Sequence, residues 1–517
     1  MPTDPAPDVS AAEVLAELGA LRGGDAPTRG GRTFAYVYDA GLAGLDELAA
    51  AAYSAYATVN GLDPTVFPSV ARLENDVVGA AAALLGGPGT QGTFTSGGTE
   101  SILLAVKTAR DHAKAERGVT EPQLVLPSTA HAAFHKAAAY LGLEPVVIPV
   151  DRTTYRADAA ATAAAITPRT ALVVASAPSY AHGVIDPVAE IAAAAAERGV
   201  LCHVDACIGG WILPHLRRAG REIPPFDLSV PGVTSLSVDL HKYGYADKGA
   251  SVVLYRDAEL RRHQYFAHAG WPGYPVVNPT VQGTKSGGLL AQAWAVLRYV
   301  GEDGYTALAG RVAEASDRLL AGLRARPDVR VLGDPSAGLV AFTVLDGTDG
   351  ADAVGSAGGS ESAGGSGSSG GSEGAGGSGG EPALSLLLHL ADEMRERGWY
   401  LQPQLSFDGL PPNLHLTLTP ATVGQVDALL ADLDAALRSA RALPPVTADP
   451  ALTELAAGLD PSKLGPEEVE AVLAFAGLTG DGGLPARMAP VLVLLDALPG
   501  PLKERLLAEF VGSVFRI

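Results

Sequence analysis

A lysine at the end of an apolar strand is the residue of this sequence whose chemistry most needs explaining. Lys242 follows the run 233–240, in which valine and leucine largely alternate with small polar residues, a pattern typical of a strand. Removing an ammonium group from water is costly. Desolvation lowers the pKa of a lysine and frees its amine to form a Schiff base. Taken alone, Lys242 is equally well explained as one of 37 basic residues, most of them solvated.

Three other features suggest a partner for this lysine. Asp205 lies in the apolar run LCHVDACIGGW, where a carboxylate needs a cationic or hydrogen-bonded partner, such as a protonated pyridine nitrogen. The Gly-Gly-Thr run 97–99 opens a helix whose N-terminus favours an anion, although it also fits an ordinary helix start. His131, the first residue of HAAFH, could stack on a flat ring. With Lys242 bound to an aldehyde, these features describe a pyridoxal 5'-phosphate site.

The elements around these residues indicate an α/β fold. From residue 123 to 255, apolar strand-like runs alternate with alanine-rich helical runs, which predicts a mainly parallel sheet covered on both faces. Ligands of such sheets bind beyond the carboxyl ends of the strands. His203 and Asp205 lie at one predicted strand end, and His241 and Lys242 lie at another.

The chain divides by composition into four predicted parts. We expect an N-terminal segment at 1–59, a large cofactor-binding domain at 60–300, a small C-terminal α/β domain at 301–445 and a helical extension at 446–517. The stretch 347–380 is almost wholly glycine, serine, alanine and glutamate. Such a composition cannot bury a core, so we predict a flexible insert that interrupts the small domain.

Charge and composition exclude several classes of partner. The 517 residues carry a formal charge of −20, which argues against binding nucleic acid or anionic lipid. No apolar run reaches the length of a membrane span, and the first residues do not resemble a signal peptide. The only cysteines, Cys202 and Cys207, suit a reducing compartment. We therefore expect a soluble cytoplasmic protein that acts on a small molecule.

Five motifs resemble a known family. The sequence is similar to the pyridoxal-phosphate group II decarboxylases, and most of all to their sphingosine-1-phosphate lyase branch, from about residue 32 to residue 419 apart from the insert. The motifs are TSGGTES, TAHAAFHKAAAYLG, HGVIDPVAEIA, HVDACIGGW and SLSVDLHKYGYADKGAS. The resemblance implies a fold type I transferase-like architecture and a lyase that breaks a carbon–carbon bond of an amine-bearing substrate. Either carbon dioxide or an aldehyde could leave, and an aminotransferase is the alternative.

The resemblance also implies roles for individual residues. By this resemblance, Lys242 forms the Schiff base, Asp205 pairs with the pyridine nitrogen and His131 stacks on the ring. The residues that would bind the phosphate are Gly97, Gly98, Thr99 and His241. Thr284 would reach the phosphate bound by a dimer mate, and Tyr38 and Lys248 would contact the substrate. A site that takes Thr284 from a second copy implies a homodimer with shared active sites.

Two departures from the branch bear on the substrate. The loop 60–64 reads NGLDP where the lyases carry a loop like NPLHP, so Asp63 replaces a histidine. The segment 283–287 reads GTKSG in place of a GSRPG-like segment, so an arginine is lost. An aspartate repels a phosphate, and we therefore expect Asp63 to disfavour phosphorylated substrates.

Two hypotheses from other classes remain. His131 and His135 have the spacing of a metal pair on one helical face, and with His203 or Asp205 they could form a zinc hydrolase site. The glutamate of HExxH is missing, however, and we expect no metal. A binding protein without catalysis is the other possibility, against which the presence of Lys242 argues.

Overall fold

The computed structural model describes residues 9–346, 383–465, 469 and 485–515. The predicted flexible insert, 347–380, lies outside the described residues. The division of the chain into four domains stays a prediction, because the elements below can be grouped in more than one way.

Among the described residues, the larger of the two main sheets has seven strands. In chain order they are Gln91–Thr95 (β1), Gln123–Pro127 (β2), Glu144–Ile148 (β3), Thr170–Ser176 (β4), Leu201–Asp205 (β5), Val233–Asp239 (β6) and Ser251–Tyr255 (β7). Their order across the sheet is β1-β7-β6-β5-β4-β2-β3. The five strands from β6 to β3 are parallel, which confirms the predicted mainly parallel sheet.

The sheet differs from the expectation at one edge. β7 is antiparallel to both β6 and β1, because only eleven residues separate β6 from β7 and a parallel connection needs a longer crossover. We did not anticipate β1, whose sequence QGTFT has few of the apolar residues that mark a strand.

Helices cover both faces of this sheet. The helices of this part are Ala11–Leu21 (α1), Leu45–Tyr56 (α2), Pro68–Leu85 (α3), Gly98–Arg117 (α4), Ala132–Leu141 (α5), Ala159–Ala165 (α6), Val188–Glu197 (α7), Gly209–Arg218 (α8) and Ala258–Arg261 (α9). A short hairpin of Phe266–His268 (β8) and Val276–Asn278 (β9) follows. The long helix Gly287–Arg324 (α10) is kinked at Gly301, whose φ of 64° is left-handed.

The smaller sheet is antiparallel and has the order β10-β11-β13-β12. Its strands are Val329–Val331 (β10), Leu339–Val344 (β11), Gln402–Gln404 (β12) and Asn413–Thr417 (β13). The helix Leu384–Glu396 (α11) lies between β11 and β12 in sequence, and the helix Val426–Arg441 (α12) follows β13. Part of the N-terminal segment joins it, since Phe34 donates its N–H to Tyr400 and accepts one from Thr417.

In the described part of the chain, three α-helices follow the small lobe. They are Pro450–Ala457 (α13), Ala489–Ala497 (α14) and Gly500–Val514 (α15), and they share a small apolar core that includes Val491, Leu502 and Leu506. Among the described residues, no helix combines the length and apolarity that crossing a bilayer requires.

The predicted site residues converge where strands end. Asp205 is the last residue of β5, Lys242 comes three residues after β6, and the run 97–99 joins β1 to α4. β5 and β6 are parallel neighbours in the sheet, so Asp205 and Lys242 lie at the same edge of the sheet.

Candidate active site

A cavity of about 560 Å³ lies at this edge of the large sheet. It brings together seven of the residues predicted from the sequence, namely Gly97, Gly98, Thr99, His131, Asp205, His241 and Lys242. Tyr38 and Lys248 line a neighbouring cavity of about 410 Å³. His241 lines both cavities, so the two adjoin at that residue.

The start of α4 can only be built with glycine. Gly97 has a φ of 140°, in the region that favours glycine. A Cβ on Gly98 would lie 2.8 Å from Oδ2 of Asp239 and 2.8 Å from Sγ of Cys207, a distance that forces neighbouring atoms to move. Position 98 therefore admits only glycine, and the N-terminus of α4, where the helix dipole favours an anion, lines the cavity.

Lys242 forms an ion pair within the cavity. Its Nζ lies 2.9 Å from Oδ2 of Asp239, whose side chain is 3% exposed. His241 Nε2 lies 3.6 Å from the same oxygen. Oδ1 of Asp239 is buried and has no hydrogen-bond partner among the described residues.

This ion pair reverses the expected protonation of the lysine. Burial lowers the pKa of Lys242, but the Asp239 carboxylate outweighs burial, so the pKa is raised above its ordinary value. Burial likewise raises the pKa of Asp239, while Lys242 and His241 lower it, with a net decrease. Our expectation of a lowered lysine pKa is therefore wrong for the protein without cofactor, since the structure supplies a counter-ion.

Asp205 is held at the cavity wall by its neighbours. Its side chain is buried, and Oδ1 accepts hydrogen bonds from the Cys207 N–H at 3.1 Å and the Ser237 hydroxyl at 3.4 Å. The carboxylate thus faces the same cavity as Lys242. It is placed to meet a cationic group of a bound molecule.

The histidines do not form the metal pair that their spacing suggested. His131 is the N-cap of α5, and its Nδ1 accepts the N–H of Ala133, so it stands before the helix on which His135 lies. His203 lies between the hydroxyls of Ser235 and Ser237. Burial lowers its pKa to about 4. In the described part of the chain, no cluster of three or more ligand-type side chains could hold a metal ion.

Tyr38 and Lys248 lie together in the neighbouring cavity. The Lys248 Nζ is 5.1 Å from the centre of the Tyr38 ring. Burial raises the pKa of Tyr38 to about 12. Burial and the nearby charge of Lys242 lower the pKa of Lys248. A neutral phenol beside two lysines can bind an anionic group or transfer a proton.

Two residues expected at the site lie outside the cofactor cavity of their own chain. Thr284 is exposed and lines neither cavity. Asp63 lines a third cavity, of about 610 Å³, and its Oδ1 accepts the N–H and hydroxyl of Thr65. Within one chain, neither residue is placed to contact a ligand beside Lys242.

Sequence reasoning missed three residues that shape the cavity. Asp239 reads as an ordinary strand residue, although its position three residues before Lys242 was a usable signal. Glu100 is buried and accepts the N–H groups of Ser96 and Val281, which holds the loop at 281–282 against the cavity. Tyr180 follows β4 and lines the cavity wall, and nothing in its sequence context distinguishes it.

The fold and the site together define a class of protein. A lysine and an aspartate at adjacent strand ends, facing a glycine-walled helix start, are the parts that pyridoxal phosphate needs for its aldehyde, ring nitrogen and phosphate. The chain belongs to the pyridoxal-dependent decarboxylase family, whose conserved domain matches residues 32–345. A second family model, described as a C-terminal HTH domain of pyridoxal-dependent enzymes, matches residues 450–513.

The chain is also similar to individual proteins of known name. The chain is 39% identical over 419 residues to the sphingosine-1-phosphate lyase of Arabidopsis thaliana, covering 80% of this chain and 69% of that protein. It is 31% identical over 392 residues to a protein of Methanothermobacter thermautotrophicus named probable L-tyrosine/L-aspartate decarboxylase, covering 75% and 93%. The sphingosine-1-phosphate lyase structure from Burkholderia pseudomallei has a TM-score of 0.73 at 34% identity and covers 85% and 93%. Alignments with other curated lyases cover as little as 50% of those proteins.

The residues present fit the cofactor of this family, pyridoxal 5'-phosphate. The run 97–99 at the N-terminus of α4 lines the cavity, and the buried Oδ1 of Asp239 has no hydrogen-bond partner in the described part of the chain. A buried carboxylate, Asp205, faces the same cavity as the lysine amine. An aldehyde, a ring nitrogen and a phosphate each have a complementary group here.

Proposed function

We propose that this protein is a pyridoxal-phosphate-dependent lyase that breaks a carbon–carbon bond of an amine-bearing substrate, with Lys242 as the covalent attachment point. The observation that carries the proposal is the shared cavity of Lys242, Asp205 and the run 97–99. The family membership and the lyase and decarboxylase relatives point to the same chemistry.

Each residue then has a chemical task. The bound cofactor supplies a conjugated ring that accepts the electron pair of the broken bond. Asp205 would hold a proton on the ring nitrogen, and His131 would contact the ring. The run 97–99 and His241 would bind the phosphate.

Lys242 must lose a proton before its amine can attack a carbonyl carbon. The Asp239 carboxylate, at 2.9 Å, is the acceptor nearest in geometry. Asp239 therefore holds the lysine in place. Because its own pKa is lowered and that of Lys242 is raised, the lysine proton must leave to another base rather than to this carboxylate. On the substrate side, Tyr38 and Lys248 line the adjoining cavity, where they would contact the part of the substrate remote from the amine.

We also propose that the working unit is a homodimer. The hairpin of β8 and β9 exposes four large apolar side chains, Phe266, Trp271, Tyr274 and Val277, each at least 46% exposed. Exposed apolar groups clustered in this way mark interaction sites. The next loop carries Thr284, which lies outside its own cavity and could reach that of a second copy.

Absorbance and peptide mapping test the covalent attachment. The purified protein should bind pyridoxal phosphate with a visible absorbance band that borohydride abolishes, and the cofactor should map to the peptide containing Lys242. Lys242→Ala should fold but lose the band, whereas the control Lys248→Ala should keep it. Finding the cofactor on Lys248 or Lys285 would overturn the assignment.

A product assay decides which bond breaks. Aromatic and acidic amino acids, and phosphorylated amino alcohols, should be incubated with the protein while carbon dioxide and aldehyde are measured separately. Release of either supports the lyase. Conversion of an amino acid to its keto acid, with transfer of the amine to an added keto acid, would instead establish the aminotransferase alternative.

A further inference from the structure

The C-terminal helices are fastened to the small lobe by buried polar contacts. Asp392 of α11 is 4% exposed, and its two carboxylate oxygens accept the N–H groups of Met488 and Ala489, each at 2.9 Å. Arg487, just before α14, pairs with Glu393 at 2.9 Å. A buried carboxylate that caps a helix N-terminus anchors that helix, so α14 has a defined position on α11.

The C-terminal end of α14 forms a hydrogen bond with the loop that follows β12. Oδ1 of Asp496 accepts the backbone N–H of Ser406 at 2.7 Å. The Asp496 carbonyl accepts the Lys503 ammonium at 3.1 Å. Ser406 lies two residues beyond β12, so the C-terminal helices fix the loop that leaves this strand.

The other end of β12 contacts the wall of the cofactor cavity. The Gln402 side chain accepts the hydroxyl of Tyr180 and donates to the hydroxyl of Tyr36 at 2.9 Å. The ring of Tyr180 lies 4.3 Å from that of His415, the residue opposite Gln402 in the strand pairing. Tyr180 is therefore held on two sides by β12 and β13.

Tyr36 shows that this junction is under conformational constraint. It has a φ of 64°, in the left-handed region that costs a non-glycine residue about 1 kcal/mol or more and persists where the surroundings enforce it. Its side chain is 62% exposed, and its hydroxyl is held by Gln402. Tyr36 lines the second cavity, so Gln402 also connects β12 to that cavity.

The charges of the C-terminal helices indicate an internal role. Binding nucleic acid favours a surface with an excess of cations. In the described part of 450–515, each lysine and arginine already has an acidic or carbonyl partner within the protein. These pairs are Lys463–Asp460, Arg487–Glu393, Lys503–Asp496 and Arg505–Glu509.

We propose that Gln402 is a positioning residue that orients Tyr180 at the cofactor cavity, and that the C-terminal helices keep Gln402 in place through the Asp496–Ser406 contact. The inference rests on the proposed cofactor site, because Tyr180 matters only if the cavity beside it is used. The C-terminal helices thus stabilise the active site from a distance, through one short strand.

Three single variants separate this role from simple stability. Asp496→Ala removes the acceptor of the Ser406 N–H, whereas Asp496→Asn keeps an oxygen in the same place. Asp449→Ala is the matched control, because Asp449 caps α13 through the N–H of Ala451 and does not contact β12. Amide hydrogen exchange at 402–406 in the cofactor-free protein should rise about 10-fold in Asp496→Ala alone. The dissociation constant for pyridoxal phosphate should rise roughly 3- to 10-fold in the same variant.

A double-mutant cycle tests the path to the cavity. Tyr180→Phe removes the hydroxyl that Gln402 holds, so Asp496→Ala should have little further effect on cofactor affinity in that background. Additive effects of the two changes would overturn the proposal, as would unchanged exchange at 402–406. If Asp496→Ala does not fold, Gln402→Ala takes its place, and its effect should likewise vanish beside Tyr180→Phe. Failure of the unaltered protein to bind the cofactor would instead refute the proposed function.

Discussion

At the residue scale, the protonation of Lys242 depends on the carboxylate of Asp239. Asp239 and Lys242 form a pair with little exposure to solvent, and each shifts the pKa of the other toward its charged form. The lysine that should act as a nucleophile is therefore stored as an ammonium ion. Its position is set before any cofactor arrives.

The pH dependence of this pair follows from the two shifts. A lysine with a raised pKa stabilises the fold at all pH values below its ordinary pKa, and this contribution is lost as the pH rises through the folded value. An aspartate with a lowered pKa contributes above its ordinary pKa, and this is lost as the pH falls through the folded value. Between about pH 5 and about pH 9 the contribution should be constant.

We expect Asp239→Asn to lower the free energy of unfolding of the cofactor-free protein by about 3 kcal/mol, because it leaves a largely buried ammonium without a counter-ion. Urea unfolding at about pH 5.5 and about pH 8.5 should give the same loss. The control Asp334→Asn alters an exposed ion pair with Arg324 and should change stability by less than about 0.5 kcal/mol. A loss present at only one of the two pH values would contradict the pairing.

At the element scale, the start of α4 is where packing and binding meet. Gly98 lies against Asp239 and Cys207 with no room for a methyl group. The residues of this helix start also line the cavity. A side chain at position 98 would therefore displace backbone that faces the cavity.

Gly98→Ala should weaken binding of pyridoxal phosphate about 10-fold or more, because overpacking by one methyl group displaces the helix start. Fluorescence titration of the cofactor-free protein measures the change. The matched control is Gly79→Ala in α3, where a Cβ meets nothing within 4 Å; it should raise stability by up to about 1 kcal/mol and leave binding unchanged. Normal affinity in Gly98→Ala would exclude this helix start as the phosphate site.

The segment 347–380 provides a second test at this scale. The described residues on either side are already close, since Ala383 donates its N–H to the carbonyl of Val344 at 3.1 Å. The segment contains almost no large apolar residues, and the entropy of closing a loop depends only weakly on its length. Replacing it with a short linker should leave the melting temperature and the turnover nearly unchanged. A large fall in either would show that the segment binds to the rest of the protein.

At the scale of the whole molecule, one chain does not bring every predicted residue to its cavity. Thr284 and Asp63 lie outside the site of their own chain, while Tyr38 and Lys248 adjoin it. In an assembly of two copies, Thr284 and Asp63 could contact a ligand in the cavity of the partner, which they cannot do in their own chain.

We expect Val277→Asp to dissociate the dimer, because it places a charge on the exposed apolar hairpin, where Val277 is 59% exposed. Sedimentation of the unaltered protein should give twice the mass of the chain, and the variant should sediment as a monomer with reduced turnover. Leu507→Asp, at a comparably exposed apolar position on α15, is the control and should remain dimeric. An active monomer would refute the assembly.

Asp63→His should favour phosphorylated substrates only in the dimer.

The sequence by itself determined the family, the parallel core of the sheet and the principal cavity residues. Lys242, Asp205 and the run 97–99 were recognisable because each belongs to a short local pattern, namely a charged residue ending an apolar strand or a glycine pair opening a helix. Such patterns reflect backbone conformation and burial, which neighbouring residues largely dictate.

Only the tertiary structure decided which segments contact one another. It placed His131 before its helix, made β7 antiparallel, and joined Tyr180 to Gln402, 222 residues away in sequence. Contacts of this kind depend on the order of strands and the packing of lobes, which arise from many weak interactions between distant segments, and no short stretch of sequence records them.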